Sequence, residues 1–306
     1  MADTEQIEGN AGQATEDAGG VEAVDDGVVE ADDLAGSAGE RVTPRLDRSR
    51  SRLRLPADIV DTARLLAVHQ SMPAVDGGAP SLPDDGTVDQ LTAAQIMADG
   101  VLDPMAHQML QVVNNASLIV TVELTYGDDQ SQSTVWATPR HAVMSSTLEP
   151  DHVDYQPVSV ASLPQTLAQL IVLQSPRFVG DVLLEIDTSL LDQVRALRDD
   201  PDDAAALLIE AGLNEHQAVL LVDLQGVDLR RWRIDSRWST EEGPMEASMS
   251  GIDGADSGHW LVGAAEPSEG GDRVLYSPQG HGEVMSSFRQ LLPKAWLGTP
   301  LDAPVV

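Results

Sequence analysis

Two stretches of the sequence share one outline, and their likeness indicates how the chain is organised. "LEIDTSLLDQVRAL", residues 184–197, and "LRLPADIVDTARLL", residues 53–66, each predict a short strand that leads into an amphipathic helix. The apolar residues of each helix lie at positions i, i+1, i+4 and i+7, and the two patterns keep the constant offset that separates Leu53 from Leu184. The second set consists of Leu190, Leu191, Val194 and Leu197.

Two further pairs of segments follow in the same order. A helix start is predicted at Asp103 followed by Pro104, and its counterpart in the second copy is Asn214. Each copy then continues with β-branched and aromatic segments that predict antiparallel strands. Each copy ends in a helix with apolar residues at i, i+4, i+7 and i+8, again at one constant offset: Leu163, Leu167, Leu170 and Ile171, then Val284, Phe288, Leu291 and Leu292.

The order of these elements favours an internal duplication in an α+β protein. Each half has a strand, helices, antiparallel strands and a closing helix, which predicts one domain with pseudo-twofold symmetry and a shared sheet. The alternative is that ordinary amphipathic elements recur without duplication, as they do in many α+β proteins. That alternative stays open here, because few residues are identical between the halves.

Charge and composition restrict the classes of partner. The 306 residues have a net charge of -32, and binding to a nucleic-acid backbone or an anionic membrane needs clustered Lys and Arg instead. The chain has no cysteine, so it has no disulfide and no thiolate metal site. Neither a secretory signal nor a long apolar span is visible, which predicts a cytoplasmic protein without membrane insertion.

The N-terminal part differs from the rest in composition. Residues 1–40 contain twelve acidic side chains and no Lys or Arg, which predicts a disordered tail. Residues 41–54 contain six arginines and are interpreted as a solvated junction. We therefore predict a tail with its junction over residues 1–50 and one domain over residues 51–306, with halves at about 53–174 and 182–293.

No catalytic, metal or cofactor site is predicted. The seven histidines never occur as a pair at i, i+4, and the sequence contains no phosphate-binding glycine loop. One alternative is a hydrolase in which Ser257, within "ADSGHW", acts with a histidine such as His281. Another is an acidic regulator that imitates DNA, which is suggested by charge alone.

The order and spacing of several segments resemble the EspG family of chaperones associated with actinobacterial type VII (ESX) secretion. The resemblance covers about residues 53 to 293. It rests on "LRLPADIVDTARLLAVHQSMP", "GVLD", "SLIVTVEL", "TVWATPRHAV", "SLPQTLAQLIVL", "GHWLVGAA" and "RVLYSPQGHGEVMSSFRQLLP". The acidic tail and the arginine-rich junction depart from the family pattern.

Membership would imply a central antiparallel sheet flanked by two helical bundles. It would also imply a cytosolic chaperone without enzymatic activity or a cofactor. Its partner would be a secreted helical heterodimer of the PE/PPE kind, whose apolar helical tip the chaperone covers. A homo-oligomer is a further alternative that the sequence leaves open.

The resemblance also implies where the partner binds, namely at a loop between two strands and at the C-terminal helices. The corresponding loop here is "GDDQSQ", which comprises Gly127, Asp128, Asp129, Gln130, Ser131 and Gln132. In the closing helix, predicted from His281 to Leu292, the apolar residues should face the core. Met285 and Arg289 are then left for contact with a partner.

Overall fold

The computed structural model describes residues 43–71, 86–147, 151–173, 182–254, 258–265 and 272–297. All of them belong to one compact unit, Val42–Val306. The predicted acidic tail, residues 1–40, and the candidate nucleophile Ser257 lie outside the described residues. The folded part begins earlier than the predicted residue 51, because Arg45–Asp47 form a strand that pairs with the next one.

The first half contains eight strands and four α-helices within its described residues. Their bounds are β1 Arg45–Asp47, β2 Arg52–Pro56, α1 Val60–Ser71, α2 Thr87–Ala93, β3 Met97–Ala98, β4 Val101–Leu102, α3 Pro104–Asn114, β5 Leu118–Tyr126, β6 Asp129–Ala137, β7 Ala142–Thr147, β8 His152–Val158 and α4 Leu163–Leu170.

The second half repeats most of this order. Its elements are β9 Leu184–Asp187, α5 Thr188–Ala196, α6 Pro201–Glu210, α7 Glu215–Leu224, β10 Arg230–Thr240, β11 Gly243–Asp253, β12 His259–Ala264, β13 Arg273–Gln279, α8 His281–Ser287 and α9 Lys294–Leu297. The closing helix is shorter than predicted, since the chain changes into a 3-10 turn at Phe288–Leu291.

Capping residues in the sequence explain where α3 and α7 begin. The Asp103 side chain accepts a hydrogen bond from the backbone N–H of Met105, with Pro104 in the first turn of α3. Asn214 and Gln217 form a reciprocal capping box at the start of α7. These two helix starts occupy the positions that the sequence predicts.

Most of the strands form one antiparallel sheet whose order confirms the duplication, while β3 and β4 pair only with each other. Among the described residues, eleven strands lie in the order β1-β2-β8-β7-β6-β5-β10-β11-β12-β13-β9. From the centre outward, β5-β6-β7-β8-β2 on one side corresponds strand for strand to β10-β11-β12-β13-β9 on the other. The pseudo-twofold axis therefore lies between β5 and β10.

The strand register places equivalent residues in equivalent positions. At the two ends of the sheet, Leu53 lies opposite Tyr155 and Leu184 lies opposite Tyr276. All four side chains are buried. The offset from Leu53 to Leu184 in the sequence is thus the offset between β2 and β9, whereas the offset from Tyr155 to Tyr276 equals the one between the closing helices.

Helices cover both faces of the sheet. Val135 and Trp136 are consecutive in β6, so their side chains point to opposite faces; Val135 packs with α4 and α8, and Trp136 packs with α1 to α3. In β12, Trp260 packs with α5 to α7, whereas Leu261 packs on the side of α4 and α8. The two three-helix bundles therefore share one face, and the closing helices lie on the other.

Trp232 of β10 packs directly on Gly251 of the neighbouring strand β11, and this contact fixes how the two strands pack. A Cβ atom built at Gly251 would lie 2.3 Å from Cζ2 of Trp232 and 2.8 Å from the backbone oxygen of Trp260. Trp232 is buried and meets the ring of Phe288 edge-on at a centroid distance of 6.2 Å. Gly251 is therefore required by close approach of a side chain and not by its backbone angles.

Gly251→Ala should destabilise the protein strongly. Because both the tryptophan ring and a backbone atom would have to move, we expect the free energy of unfolding to fall by about 2 to 3 kcal/mol. Gly263→Ala in β12 is the matched control, since nothing lies within 4 Å of its added Cβ. Urea denaturation of both variants measures the difference, and equal stabilities would contradict the packing described here.

A buried carboxylate holds the first edge of the sheet together. The side chain of Asp154 is 5% exposed and binds Arg52 at 2.6 Å and Arg54 at 3.0 Å. Burial by itself raises the pKa of Asp154, but hydrogen bonds and charge from Arg54 and Arg52 outweigh it, so the net pKa is lowered. The arginines of the predicted solvated junction are in part structural.

Asp154→Asn should lower the free energy of unfolding at neutral pH. It should also make this free energy depend less on pH in the acid range. A lowered pKa in the folded state contributes stability above the ordinary carboxyl pKa, and this contribution is lost as pH falls through the folded-state value. Because both arginines are partly exposed, we expect a loss of about 1 to 3 kcal/mol at pH 7. Urea denaturation across the acid pH range measures both effects.

Asp192→Asn is the control for this experiment. Asp192 pairs with Arg195 on the surface of α5, where both side chains are more than half exposed. Its removal should change the free energy of unfolding by less than about 0.5 kcal/mol at any pH. A similar acid profile in the two variants would show that Asp154 is not the relevant titrating group.

Candidate functional site

The six residues of the predicted binding loop form a tight hairpin. Gly127 and Asp128 are the turn between β5 and β6, and Gly127 has a φ of 59°. Asp129, Gln130, Ser131 and Gln132 are the first residues of β6 and pair with β5. The N–H of Gly127 donates to the backbone oxygen of Val227 at 3.2 Å, which ties the turn to the start of β10.

The closing helix places its apolar residues in the core, as its sequence pattern predicts. Val284, Phe288, Leu291 and Leu292 are buried on the sheet face that α4 also covers. Met285 is partly buried, and Arg289 is exposed. Both side chains line the same open cleft.

The predicted loop and the predicted helix positions do not form one site. The loop is at the start of β6, whereas the cleft includes Arg140 and Ala142, which follow the end of that strand. The nine residues of β6 separate these ends by about 27 Å. Met285 and Arg289 therefore lie together, and Gly127 to Gln132 lie far from them.

The cleft lies across one end of the sheet and has a volume of about 880 Å³. Its lining comes from α3, the β6–β7 turn, the β8–α4 connection and the C-terminal helices. Polar and apolar groups contribute about equally to its surface, and the apolar part includes Met105, Met109, Leu163 and Trp296. Methionine side chains adapt easily to different partners, which suits a surface for binding protein.

The charge of the cleft is opposite to that of the chain. Although 50 of the 306 residues are acidic, none of the described residues that line the cleft is Asp or Glu. The charged side chains in the lining are Arg140 and Arg289, with His141 beside them. Both arginines are exposed, so they can meet a partner without first leaving a buried position.

These two arginines also lack the acidic partners that most other arginines have. Among the residues that the structure describes, ten arginines form ion pairs with an acidic side chain within 4.0 Å: Arg48, Arg52, Arg54, Arg64, Arg195, Arg198, Arg230, Arg233, Arg237 and Arg273. The other arginines of the described part form none, namely Arg45, Arg50, Arg140, Arg231 and Arg289; of these, only Arg140 and Arg289 line the cleft. No carboxylate of the described residues therefore neutralises their charge at short range.

A buried hydroxyl holds the wall of the cleft that carries Arg289. The side chain of Ser236 in β10 is fully buried and donates a hydrogen bond to the backbone oxygen of Leu291. Leu291 ends the 3-10 turn in which Arg289 lies. The sheet thus fixes the position of this turn through a polar contact in addition to apolar packing.

Sequence reasoning identifies only one wall of the cleft. Met285 and Arg289 follow from the helix pattern, but Met105, Met109 and Arg140 come from segments far away in sequence. In an amphipathic helix such as α3, methionines at these positions are typical of core residues and give no signal of a binding site. Only the turn "TPRH", residues 138–141, carries a local signal, namely a basic turn in an acidic chain.

The described residues contain no arrangement that supports the hydrolase alternative. Ser257 lies outside them, and His281 is the first residue of α8. Ser71 lies 3.3 Å from a ring nitrogen of His107, but its hydroxyl also bonds to the backbone oxygen of Ala67 at 2.7 Å, an ordinary contact within a helix.

Two other kinds of site can be assessed over the same residues. No group of three His, Asp or Glu side chains in the described part could hold a metal ion. No helix among the described residues has the length and apolar character that crossing a bilayer requires.

Comparison with known proteins gives a structural likeness without a sequence match. No protein-family model and no curated protein matches the sequence. The fold is similar to that of the Mycobacterium tuberculosis type VII secretion system chaperone EspG5, solved in complex with a PE25-PPE41 dimer. The TM-score is 0.57 at 9% sequence identity, over 79% of this chain and 97% of that chain.

This likeness supports the predicted architecture of the chain. At 9% identity it concerns the fold, which has a large antiparallel sheet with flanking helices. The similar protein is a chaperone.

Removing the hydroxyl of Ser236 should loosen the wall of the cleft. In Ser236→Ala the buried backbone oxygen of Leu291 loses its donor, and we expect the free energy of unfolding to fall by about 1 to 2 kcal/mol. Ser239→Ala, at an exposed position of the same strand, should have an effect below about 0.5 kcal/mol. Urea denaturation distinguishes the two; no loss in Ser236→Ala would contradict the anchoring role.

Proposed function

We propose that this chain is a cytosolic chaperone that binds a helical type VII secretion substrate of the PE/PPE kind and keeps it soluble and competent for export. The observation that carries this proposal is the fold shared with EspG5, which extends over nearly the whole of that chaperone. We also propose that the folded part of the chain, from Arg45 onward, acts as one EspG-like domain. It would carry out no chemical reaction.

A chaperone of this kind has a simple physical task. A helical secretion substrate that ends in an apolar tip exposes a patch that would otherwise aggregate. A cover for that tip needs apolar side chains that adapt, held on a rigid support. Met105, Met109 and Met285 around the cleft offer the first property, and the sheet beneath them offers the second.

We assign the cleft, with Met285 and Arg289, as the main contact with this substrate. The hairpin from Gly127 to Gln132 lies at the other end of β6 and would serve as a separate contact with an elongated partner. A helix about 18 residues long covers the roughly 27 Å between the two places. A rod-shaped helical pair could therefore contact both.

Affinity purification tests the proposal directly. The tagged full chain, expressed in an actinobacterial host that has a type VII secretion system, should recover a pair of small helical secreted proteins. Met285→Gln should reduce their recovery about tenfold, because it replaces a central apolar contact by a polar amide. Quantitative mass spectrometry measures the recovery.

Met245→Gln is the matched control. Met245 is exposed on β11 and does not line the cleft, so its variant should recover the pair as the unchanged chain does. Circular dichroism verifies that both variants fold. Recovery of the unchanged chain without any such pair would refute the proposed function, and equal recovery by both variants would refute the assignment of the cleft.

A further inference from the structure

We propose that the cleft selects a helix whose apolar stripe is bordered by Asp or Glu side chains. This inference rests on the proposed function and specifies the chemistry of its partner. It is carried by three observations on the described residues: the absence of carboxylates from the lining, the two arginines without an acidic partner, and the methionine-rich floor.

The charges of the cleft favour an acidic partner over a basic one. Arg140 and Arg289 come from separate walls, the β6–β7 turn and the closing 3-10 turn. Arginine presents several donors in a fork that matches a carboxylate. The net charge of -32 repels an acidic partner at long range, whereas the described lining of the cleft attracts one.

The shape of the cleft favours a helix over a small molecule. Its lining runs from Ser51, in the turn between β1 and β2, to Trp296, close to the end of the described chain. It is therefore an open depression and not an enclosed cavity. An apolar helix face that presents residues at i, i+3, i+4 and i+7 fits such a depression, and flanking side chains then reach its rim.

The second half of the protein repeats the fold but does not repeat the residues that line the cleft. By the duplication, α7 corresponds to α3 when their N-terminal caps are aligned. Asp223 then takes the position of Val112, and His216 takes the position of Met105. At these two positions of the described chain, the second half does not repeat the apolar residues that line the cleft.

A panel of labelled peptides tests the selectivity on the purified full chain. Each peptide has about five helical turns and the same Leu and Met stripe, with Glu, Gln or Lys in the flanking positions. Fluorescence anisotropy should show that the Glu peptide binds about tenfold more tightly than the Lys peptide in dilute salt. The difference should shrink in concentrated salt, because exposed charges are screened.

Charge reversal links the preference to the two arginines. The double variant Arg140→Glu with Arg289→Glu should bind the Lys peptide more tightly than the Glu peptide. Arg198→Glu is the matched control, since Arg198 is exposed on the other half and lines no part of the cleft; it should keep the original preference. A Glu peptide whose stripe is replaced by Ser should not bind.

The outcomes separate this inference from the proposed function. Equal binding of the three peptides, a preference that survives the double variant, or no binding of any peptide overturns the inference. Laurate, a single-chain fatty acid, tests whether the cleft binds small apolar anions instead. Tight binding of laurate without binding of any peptide identifies such a site and overturns the inference as well. If the helical pair is still recovered in the affinity purification, the proposed function stands in each of these cases.

Discussion

The pairing of β5 with β10 is the interaction on which the rest of the structure depends. Val122 lies opposite Ile234 at the centre of this pair, and both side chains are buried. Each half contributes half of a sheet, and either half alone would expose β5 or β10 as an unpaired inner strand. The pseudo-twofold arrangement closes this edge, so that the duplication is a condition of the fold and not only a trace of its origin.

The two halves of the sheet are related by pseudo-twofold symmetry, but the closing helices α4 and α8 that pack on them make different contacts. Val135 and Ile234 belong to the cluster beneath both α4 and α8. In the second half, Trp232 lies on Gly251 and meets Phe288, and Ser236 bonds to Leu291. These contacts fix the turn that carries Arg289, and through it one wall of the cleft. The site therefore depends on contacts of the second half, although most of its lining belongs to the first.

The duplication could be predicted from the sequence, but not every strand could. Periodic apolar residues identify both strand-to-helix units, because burial of one face of a helix requires a period of about 3.6 residues. The strand β11, "GPMEASMSGID", has no such signal, since its residues are small or polar and only Gly251 and Ile252 are buried. Its place in the sheet comes from its two neighbours, and tertiary pairing overrides its low β-propensity.

The cleft could not be predicted for a different reason. The cleft is distinguished by the absence of Asp and Glu side chains from its described lining. This absence becomes visible only when the fold brings segments together that are distant in the sequence. A net charge of -32 disfavours an acidic partner at long range, whereas the described lining of the cleft holds two arginines and no carboxylate. Under the inference drawn above, an acidic helix would therefore approach through the cleft. Specificity would then arise from long-range repulsion as well as from attraction at the site.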